Sequence, residues 1–453
     1  MADPTSISGL DLWLKADTGI TLTSGKVTGW ADQSGSGNNL TTASTVLSPS
    51  YRSGLDPAIE FEFANQASAG NSTTPGEYMI VPTTLSTNEQ AFTAFAVISV
   101  PALYGRSTAG SNPTVPQIIW GQTNTHAVFA AINGKMVLSN GSFQYPSPSL
   151  YPGMTNQVVG LVSNGTTVTA YCGGQASNCT GYAAGTVTGG YLGTFNTAVG
   201  SYGSFSLREA VHYNSALSTA NVINLLDYFN YKYNLQPLQG TVVVCDGDSI
   251  TAGSYQTMNG NYPRFLSLPS GYKVYNAGIP SQQIGTAGGV HGLIQNAATY
   301  VDPFLDTNAD TNIYVAFAGT NDISSSNVSG ATLYANMVTL CQARQAAGWK
   351  VVVVTILPRN NTTGTYNTPA LFYAQSSAFN ALVRSNWRSF ANAIADVGGD
   401  GLIGQAASYL NTSYYWTDGI HPNSQGSSII ARYVRNAISS ISNPGIHPVT
   451  NVF

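Results

Sequence analysis

The sequence predicts a multidomain protein in which an antiparallel β-sandwich precedes a three-layer α/β domain. The chain has 453 residues, more than a single hydrophobic core usually serves. Up to about residue 205, short alternating or apolar segments are separated by Gly, Asn, Ser and Pro, which favours antiparallel strands. From residue 241, apolar β-branched runs alternate with helical stretches, which favours a parallel sheet covered on both faces. The predicted boundaries are 1–235 for the first domain, 236–240 for a linker, 241–440 for the second domain and 441–453 for a C-terminal tail.

Segments with the β pattern in the first domain include residues 58–63, 91–98 and 158–162. The end of this domain has helical spacing instead, and Ser218 is the predicted N-cap of a helix that continues to residue 235. The apolar residues on one face of that helix are Val222, Leu225, Leu226 and Phe229.

Several segments of the first domain together resemble a concanavalin-like (laminin-G-type) jelly roll. They are residues 10–17 and 27–38 near the start, then residues 209–214, the capped helix and the pair Lys232-Tyr233. The resemblance spans residues 7–235 and implies a jelly-roll sandwich.

In the second domain, the predicted strands are residues 241–245, 273–275, 312–317 and 350–357. The predicted helices lie near residues 288–300, 330–347, 370–393 and 423–440. Ligands of an open parallel sheet bind beyond the carboxyl ends of its strands, so we expect the functional residues in the loops at that edge.

Four sequence blocks fall at those loops. They are Gly247-Asp248-Ser249, Asn276-Ala277-Gly278, Gly319-Thr320-Asn321-Asp322 and Asp418-Gly419-Ile420-His421. A serine hydroxyl becomes a nucleophile at neutral pH when an imidazole accepts its proton and a carboxylate orients that imidazole. In this order the blocks resemble the SGNH hydrolase superfamily, the GDSL-like esterases and lipases. The resemblance implies a flavodoxin-like α/β fold for this domain.

The resemblance also implies roles for single residues. Ser249 is the nucleophile, His421 the base and Asp418 the residue that orients the imidazole. The oxyanion hole takes the backbone N–H of Ser249, the backbone N–H of Gly278 and the side-chain amide of Asn321. From the residues alone, Ser249 could instead be a helix N-cap, and Asn321 a turn former.

The second block departs from the family pattern, which usually continues with another Gly. This chain has Ser281 there, and we expect it to narrow or reshape the oxyanion loop.

Three aromatic residues, Tyr414, Tyr415 and Trp416, shortly precede Asp418. They are candidates for stacking against a sugar ring, and the alternative is that they pack this loop onto the domain. Arg359 follows the fourth predicted strand and either contacts an acidic substrate or is solvated.

The composition limits the partners. With 8% charged residues and a net charge of −4, the chain offers no basic stripe for nucleic acid. No apolar run approaches the roughly 20 residues that span a bilayer. The polar, Tyr-rich composition is typical of extracellular proteins, and the start of the chain lacks the pattern of a signal peptide. We therefore expect an extracellular protein. It is either secreted, with its leader already removed from this sequence, or carried on a virion. Whether it forms a homo-oligomer stays open.

No His/Cys/Asp cluster has zinc spacing, so no cofactor is predicted. Calcium in the first domain stays open, because Asp32, Ser34, Ser36 and Asn38 offer oxygen ligands that also suit a turn. Cys172 and Cys179 form either a disulfide or two thiols. Cys245 and Cys341 are predicted to be buried.

The leading hypothesis is a carbohydrate O-acetyl esterase that removes acetyl groups from a polysaccharide through an acyl-enzyme on Ser249. One alternative is a general short-chain carboxylesterase or lipase. Another is a phage tail or capsid protein that binds glycans and deacetylates them. The carbohydrate part of the hypothesis is an analogy from the lectin-like first domain.

Overall fold

The structure is a computed structural model. It describes residues 3–62, 76–88, 90–101, 117–121, 126–132, 135–140, 143–144, 153–173, 175–180, 186–194, 203–235, 240–256, 260–269, 271–285 and 292–442. These residues form two compact units, one within residues 3–235 and one within residues 240–442. The predicted linker 236–240 and tail 441–453 fall largely outside the described residues, so these boundaries stay predictions.

The first unit is an antiparallel β structure, which confirms the predicted fold class. Its strands among the described residues are β1 Leu10–Lys15, β2 Ile20–Thr23, β3 Lys26–Trp30, β4 Leu40–Thr41, β5 Ser50–Arg52, β6 Ala58–Phe61, β7 Met79–Asn88, β8 Phe92–Ser99, β9 Gln117–Gly121, β10 His126–Ile132, β11 Lys135–Asn140, β12 Phe143–Gln144, β13 Gln157–Ser163, β14 Thr167–Cys172, β15 Gln175–Thr180, β16 Thr186–Leu192 and β17 Phe205–Tyr213. Helix α1 covers Thr219–Lys232 and follows β17.

The strand pairings give two antiparallel sheets. One has the order β1-β17-β8-β13-β14-β15, and the other has the order β2-β3-β4-β7-β16-β9-β10-β11-β12. Strands β5 and β6 join them, because β5 pairs with β3 and β6 pairs with β17. Side chains from both sheets meet in one apolar cluster, as in a jelly-roll sandwich.

The two faces of strand β8 pack against different parts of the first unit. Phe92, Ala94, Ala96 and Ile98 belong to the cluster between the sheets. The alternate residues Phe95 and Val97 pack with Leu225 and Phe229 of α1. Since successive side chains of a strand point to opposite faces, α1 covers the outer face of this sheet.

A buried carboxylate connects α1 to the sheet. Glu209 of β17 accepts hydrogen bonds from Trp13 Nε1 at 2.6 Å, Tyr228 OH at 2.9 Å, Lys232 Nζ at 2.6 Å and Tyr233 OH at 2.7 Å. Burying a charge is costly unless it is paired and hydrogen-bonded, and four donors meet that requirement here. The Lys232-Tyr233 pair of the sequence therefore has a structural role.

The cysteine alternative is settled by the register of the β14–β15 hairpin. Cys172 lies opposite Gln175, and Cys179 lies opposite Val168, so the two residues are not cross-strand partners. Cys172 is a buried thiol that donates to Gln157 Oε1 at 3.4 Å. The predicted burial of Cys245 and Cys341 is confirmed.

The loop proposed for calcium is organised by its own hydrogen bonds. The Asp32 carboxylate accepts from Ser34 N at 2.8 Å, Ser34 Oγ at 2.7 Å, Asn38 N at 3.0 Å and Trp13 N at 2.9 Å. These bonds describe the turn alternative, and calcium binding stays a prediction.

The second unit is a parallel five-stranded sheet with the order β19-β18-β20-β21-β22, which confirms the α/β class. Its strands are β18 Thr241–Gly247, β19 Tyr272–Asn276, β20 Thr311–Phe317, β21 Lys350–Val354 and β22 Ala393–Ala395. The helices are α2 Ser249–Ala252, α3 Leu293–Tyr300, α4 Thr320–Ser326, α5 Gly330–Ala346, α6 Pro369–Asn386 and α7 Ser424–Ser442. Short 3-10 helices of this unit cover Tyr262–Leu266, Asp302–Phe304, Trp387–Ser389, Val397–Gly399 and Ser408–Leu410, and those of the first unit cover Pro4–Ser6 and Thr45–Leu47.

One sequence prediction is wrong here. The helix predicted over 370–393 ends at Asn386, and a fifth strand, β22, follows it. This strand has only three residues, too few for a period to be read.

Both faces of this sheet are covered. On β20, the Phe317 ring contacts Tyr262 of a 3-10 helix at a centroid distance of 5.7 Å. The Tyr314 ring lies 6.4 Å from Trp349, which follows α5. The two residues are three apart and so point to opposite faces of the strand.

The helices in the described part of the chain are too short or too polar to cross a membrane.

Candidate active site

Ser249 lies at the carboxyl edge of the sheet, where β18 turns directly into α2. Asp248 is the N-cap of this short helix, and its carboxylate accepts from Ile250 N at 2.9 Å. The turn requires Gly247, because a Cβ atom there would lie 2.1 Å from Phe317 O of the neighbouring strand. Ser249 is therefore the first helical residue, not the N-cap that the alternative interpretation proposed.

His421 reaches Ser249 from the loop before α7. Its Nε2 atom is 2.8 Å from Ser249 Oγ, and its Nδ1 atom is 2.6 Å from Asp418 Oδ2. The loop is closed by the bond from Trp416 N to His421 O at 2.9 Å. Three side chains separated by up to 172 positions thus form one continuous chain of hydrogen bonds.

The electrostatics of Asp418 suit an acceptor. Burial by itself raises its pKa, but the hydrogen bond and charge interaction with His421 and the N–H groups of Ile420 and His421 outweigh burial and lower that pKa below its usual value. Asp418 Oδ1 accepts those two N–H groups at 2.9 and 3.1 Å. An ionised Asp418 requires the proton of the neutral imidazole on Nδ1, which leaves Nε2 to accept from Ser249.

Gly278 is placed differently from the role expected of it. Its N–H donates to Asn276 Oδ1 at 3.0 Å, so this donor already has an acceptor. A Cβ atom on Gly278 would lie 2.4 Å from Ala252 N, in the backbone of α2. The glycine therefore permits close packing of the loop against the helix that carries Ser249.

The same loop brings Ser281 towards Asn321. The Asn321 side-chain amide donates to Gln282 O at 3.0 Å. Ser281 is exposed and has a φ of 66°, the left-handed region that favours glycine. Its N–H has no acceptor among the described residues, whereas those of Ile284 and Gly285 are bound by Asp322 at 3.0 to 3.1 Å. Asn321 lies in the first turn of α4, so it is not a simple turn residue.

The three aromatic residues before Asp418 have different surroundings. Tyr415 is 1% exposed and donates its hydroxyl to Ile403 O at 2.6 Å, so the expectation that it contacts substrate is corrected. A phenol with both its ring and its hydroxyl engaged packs the loop onto the domain. Trp416 is exposed and Tyr414 is half-buried, so both stay candidates for substrate contact.

Of the two alternatives for Arg359, the structure does not support a solvated side chain. It is largely buried, donates to Thr320 Oγ1 at 3.3 Å and lies over the Phe372 ring. Burial lowers its pKa, while the carboxylates of Asp248 and Asp418 act in the opposite direction. Arg359 thus places a positive charge near Asp248 and Asp418.

Two buried carboxyl groups lie at the end of β18. Burial raises the pKa of Asp246 to about 7, although Tyr314 OH and Gly247 N both donate to it at 2.8 Å. Burial likewise raises the pKa of Asp248 to about 7, against the effects of the Ile250 N–H and Arg359.

Within the described residues, no group of three or more His, Cys, Asp or Glu could hold a metal ion.

The sequence patterns did not single out Tyr255. Its ring centroid is 4.7 Å from that of His421, with 38° between the ring planes. Only its position six residues after Ser249 could have pointed to it, and such spacing is not specific.

Comparisons with known proteins find similarity to this half of the chain and, in one case, to most of the chain. Residues 245–429 match the GDSL-like Lipase/Acylhydrolase family. None of the curated proteins compared matches the chain.

Three solved structures are similar to it. The psychrotrophic esterase EstA from Pseudoalteromonas sp. is 15% identical over 45% of this chain and 98% of its own, with a TM-score of 0.34. A carbohydrate acetylesterase family member from Sinorhizobium meliloti is 16% identical over 44% of this chain and 98% of its own, with a TM-score of 0.35. A protein from Bacillus subtilis is 12% identical over 87% of both chains, with a TM-score of 0.33.

Proposed function

We propose that this chain, whose residues 245–429 form a domain of the GDSL-like lipase/acylhydrolase family, is a serine esterase that removes O-acetyl groups from a polysaccharide. The observation that carries the proposal is the continuous set of hydrogen bonds from Ser249 through His421 to Asp418. A hydroxyl, an imidazole and a carboxylate in this order are what acyl transfer to a serine requires.

The reaction follows from the protonation states of these three groups. Ser249 Oγ attacks the ester carbonyl carbon as its proton passes to His421 Nε2. The resulting tetrahedral intermediate collapses, the sugar oxygen leaves with the proton from Nε2, and an acetyl-Ser249 ester remains. Water then attacks this ester by the same route, with His421 as the base, and acetate departs. Asp418 stays ionised throughout and stabilises the imidazolium.

The negative oxygen of the intermediate needs donors that are in place before the reaction. The proposed set is Ser249 N–H, the Asn321 amide and Ser281 N–H, with Ser281 in the role first expected of Gly278. Supporting this change, Gly278 N–H is engaged by Asn276, whereas Ser281 N–H has no acceptor among the described residues. The bond from Asn321 to Gln282 O keeps the Ser281–Gln282 segment beside the amide.

The polysaccharide part of the proposal has weaker support than the ester chemistry. The exposed indole of Trp416 lies two residues before Asp418, and an aromatic face beside a scissile ester suits stacking with a sugar ring. The jelly-roll unit and the low charge of the chain fit a glycan partner by analogy.

The experiment measures acetate released from a panel of acetylated polysaccharides by the wild type and by Ser249→Ala. We expect release from at least one polysaccharide, and a loss of at least a thousandfold in the variant, because removal of a triad member abolishes acyl transfer. Cleavage of short-chain aryl esters without release from any glycan would make the protein a general carboxylesterase. Equal activity of Ser249→Ala on all esters would end the serine mechanism.

We further propose that the protein works outside the cell, either secreted or borne on a virion. Sedimentation analysis of the purified chain distinguishes the two. A trimer is expected for a phage tail component, and a monomer for a secreted enzyme.

A further inference from the structure

Tyr255 combines a strained backbone with a contact to the candidate base. Its φ of 64° lies in the left-handed region, where a bulky side chain is uncommon and costs conformational energy. Its ring lies 4.7 Å from the His421 ring, measured between centroids, at an interplanar angle of 38°. Strained residues persist where their surroundings hold them, and they concentrate at functional sites.

The surroundings of Tyr255 hold it from both sides. Before it, Gly253 N and Ser254 N both donate to Ser249 O, at 3.0 and 2.9 Å. After it, the buried Gln256 side chain donates to Pro422 O and accepts from Ser424 Oγ at 3.1 Å. The segment is therefore tied at one end to the peptide of the nucleophile and at the other to the loop of the base.

The hydrogen bonds of His421 do not by themselves fix the tilt of its ring. Its Nε2 atom is bonded to Ser249 and its Nδ1 atom to Asp418. The lone pairs and N–H groups of an imidazole lie in the ring plane, so such bonds hold the two nitrogen atoms more firmly than they hold the ring against tilting about the line that joins them. A side chain packed on the ring face restricts this tilt.

We propose that Tyr255 is a positioning residue that holds the plane of the His421 imidazole during ester hydrolysis. The inference rests on the proposed function, since it assigns a partner to the base of that reaction. The aromatic ring also lies within the roughly 6 Å at which a cation interacts with a ring face, so it stabilises the imidazolium formed after proton transfer. The contact belongs to the ring, so the phenol hydroxyl is not required.

Three substitutions separate the ring from the backbone. Tyr255→Phe keeps the ring, Tyr255→Ala removes it, and Tyr255→Asn removes it with a residue that tolerates positive φ. Tyr231→Ala on α1 of the first unit is the matched control, because Tyr231 is 77% exposed and far in sequence from the site.

Each variant is measured for kcat and KM on a short-chain ester, for melting temperature, and for the His421 ring proton resonances by NMR. We expect Tyr255→Asn and Tyr255→Ala to lower kcat about tenfold with KM within about a factor of two, as loss of an aromatic contact to a cation predicts. Tyr255→Phe should keep the wild-type kcat. The His421 resonances should shift in Tyr255→Asn and Tyr255→Ala and stay in place in Tyr255→Phe, because the ring current of the neighbouring aromatic side chain acts on them.

Unchanged kcat in Tyr255→Asn, with Ser249→Ala inactive, would overturn the positioning role. A rise in KM with kcat preserved would also overturn it, and would make Tyr255 a substrate contact. An active Ser249→Ala would instead refute the proposed function. If Tyr255→Ala does not fold, the comparison of kcat between Tyr255→Phe and Tyr255→Asn still tests the positioning role.

Discussion

At the scale of single residues, the site depends on side chains that backbone groups hold in place. Asp418 accepts the N–H groups of Ile420 and His421, so its carboxylate is fixed by the same turn that carries His421. Asn321 is fixed by its bond to Gln282 O. Both side chains are thus in position before substrate arrives, which is the condition for electrostatic stabilisation of a transition state.

The Asn321 amide is the side-chain donor of the proposed oxyanion hole, and it can be removed without touching the triad. Asn321→Ala should lower kcat about a hundredfold or more and change KM little, since the oxyanion forms only in the transition state. Asn386→Ala, at an exposed position on α6, is the control and should keep wild-type kcat. Steady-state kinetics on a short-chain ester measure both. A kcat within twofold of wild type would remove Asn321 from the oxyanion hole.

At the scale of elements, the loop after β19 combines a glycine that must be small with a serine in a conformation suited to glycine. Gly278 packs against the backbone of α2, and Ser281 has a φ of 66°. We therefore expect a side chain added at Gly278 to lower the free energy of unfolding, and removal of the side chain at Ser281 to raise it.

Gly278→Ala should destabilise the second unit by about 1–3 kcal/mol, the usual range for overpacking, because its Cβ atom would press on the backbone at Ala252. Its kcat should fall as well, since α2 carries Ser249. Urea unfolding and steady-state kinetics test both effects. A variant with wild-type stability would show that the loop yields at no cost.

Ser281→Gly should act in the opposite direction. Removal of the side chain relieves the left-handed strain and should raise the free energy of unfolding by about 1 kcal/mol. The backbone N–H remains, so kcat should stay within a few-fold of wild type, while Ser281→Val should lower both quantities. The same urea titrations apply, and destabilisation by glycine would contradict the assigned backbone strain.

At the scale of the whole molecule, the buried carboxyl groups at the end of β18 make stability depend on pH. The folded pKa of Asp246 is about 7, against 3.8 for the unconstrained group, because the site is fully buried. Between these values the folded chain keeps a proton that the unfolded chain releases. Stability due to this group is present in full below about pH 4 and is lost as pH rises to about 7. Asp248 acts in the same direction.

The melting temperature of the second unit should therefore fall between pH 5 and pH 8. Asp418 acts oppositely, but its lowered pKa confines its effect to more acidic pH. Asp246→Asn cannot ionise and should reduce the slope, while Asp310→Asn at an exposed position should leave it unchanged. Calorimetry at both pH values supplies the test. A melting temperature that rises equally with pH in the wild type and in Asp246→Asn would refute it.

Much of the fold could be predicted because its signals are local. The apolar runs of β18, β20 and β21 and the capped helix α1 are visible as periods in the sequence, and the structure has them within a few residues of the expected bounds. β22 was missed because three residues define no period. The end of α6 was predicted too late in the chain, because no sequence signal separates its last turn from the residues that follow.

The sequence by itself determined which residue types can carry out acyl transfer and the order in which they occur, because chemistry of this kind needs a hydroxyl, an imidazole and a carboxylate. Only the tertiary structure decided which N–H groups of the described residues are left without an acceptor, that Tyr415 is buried, and that the rings of Tyr255 and His421 lie in contact. These properties depend on contacts between residues far apart in the chain. Hydrogen-bond partners and burial arise when the elements pack, and no local pattern encodes them.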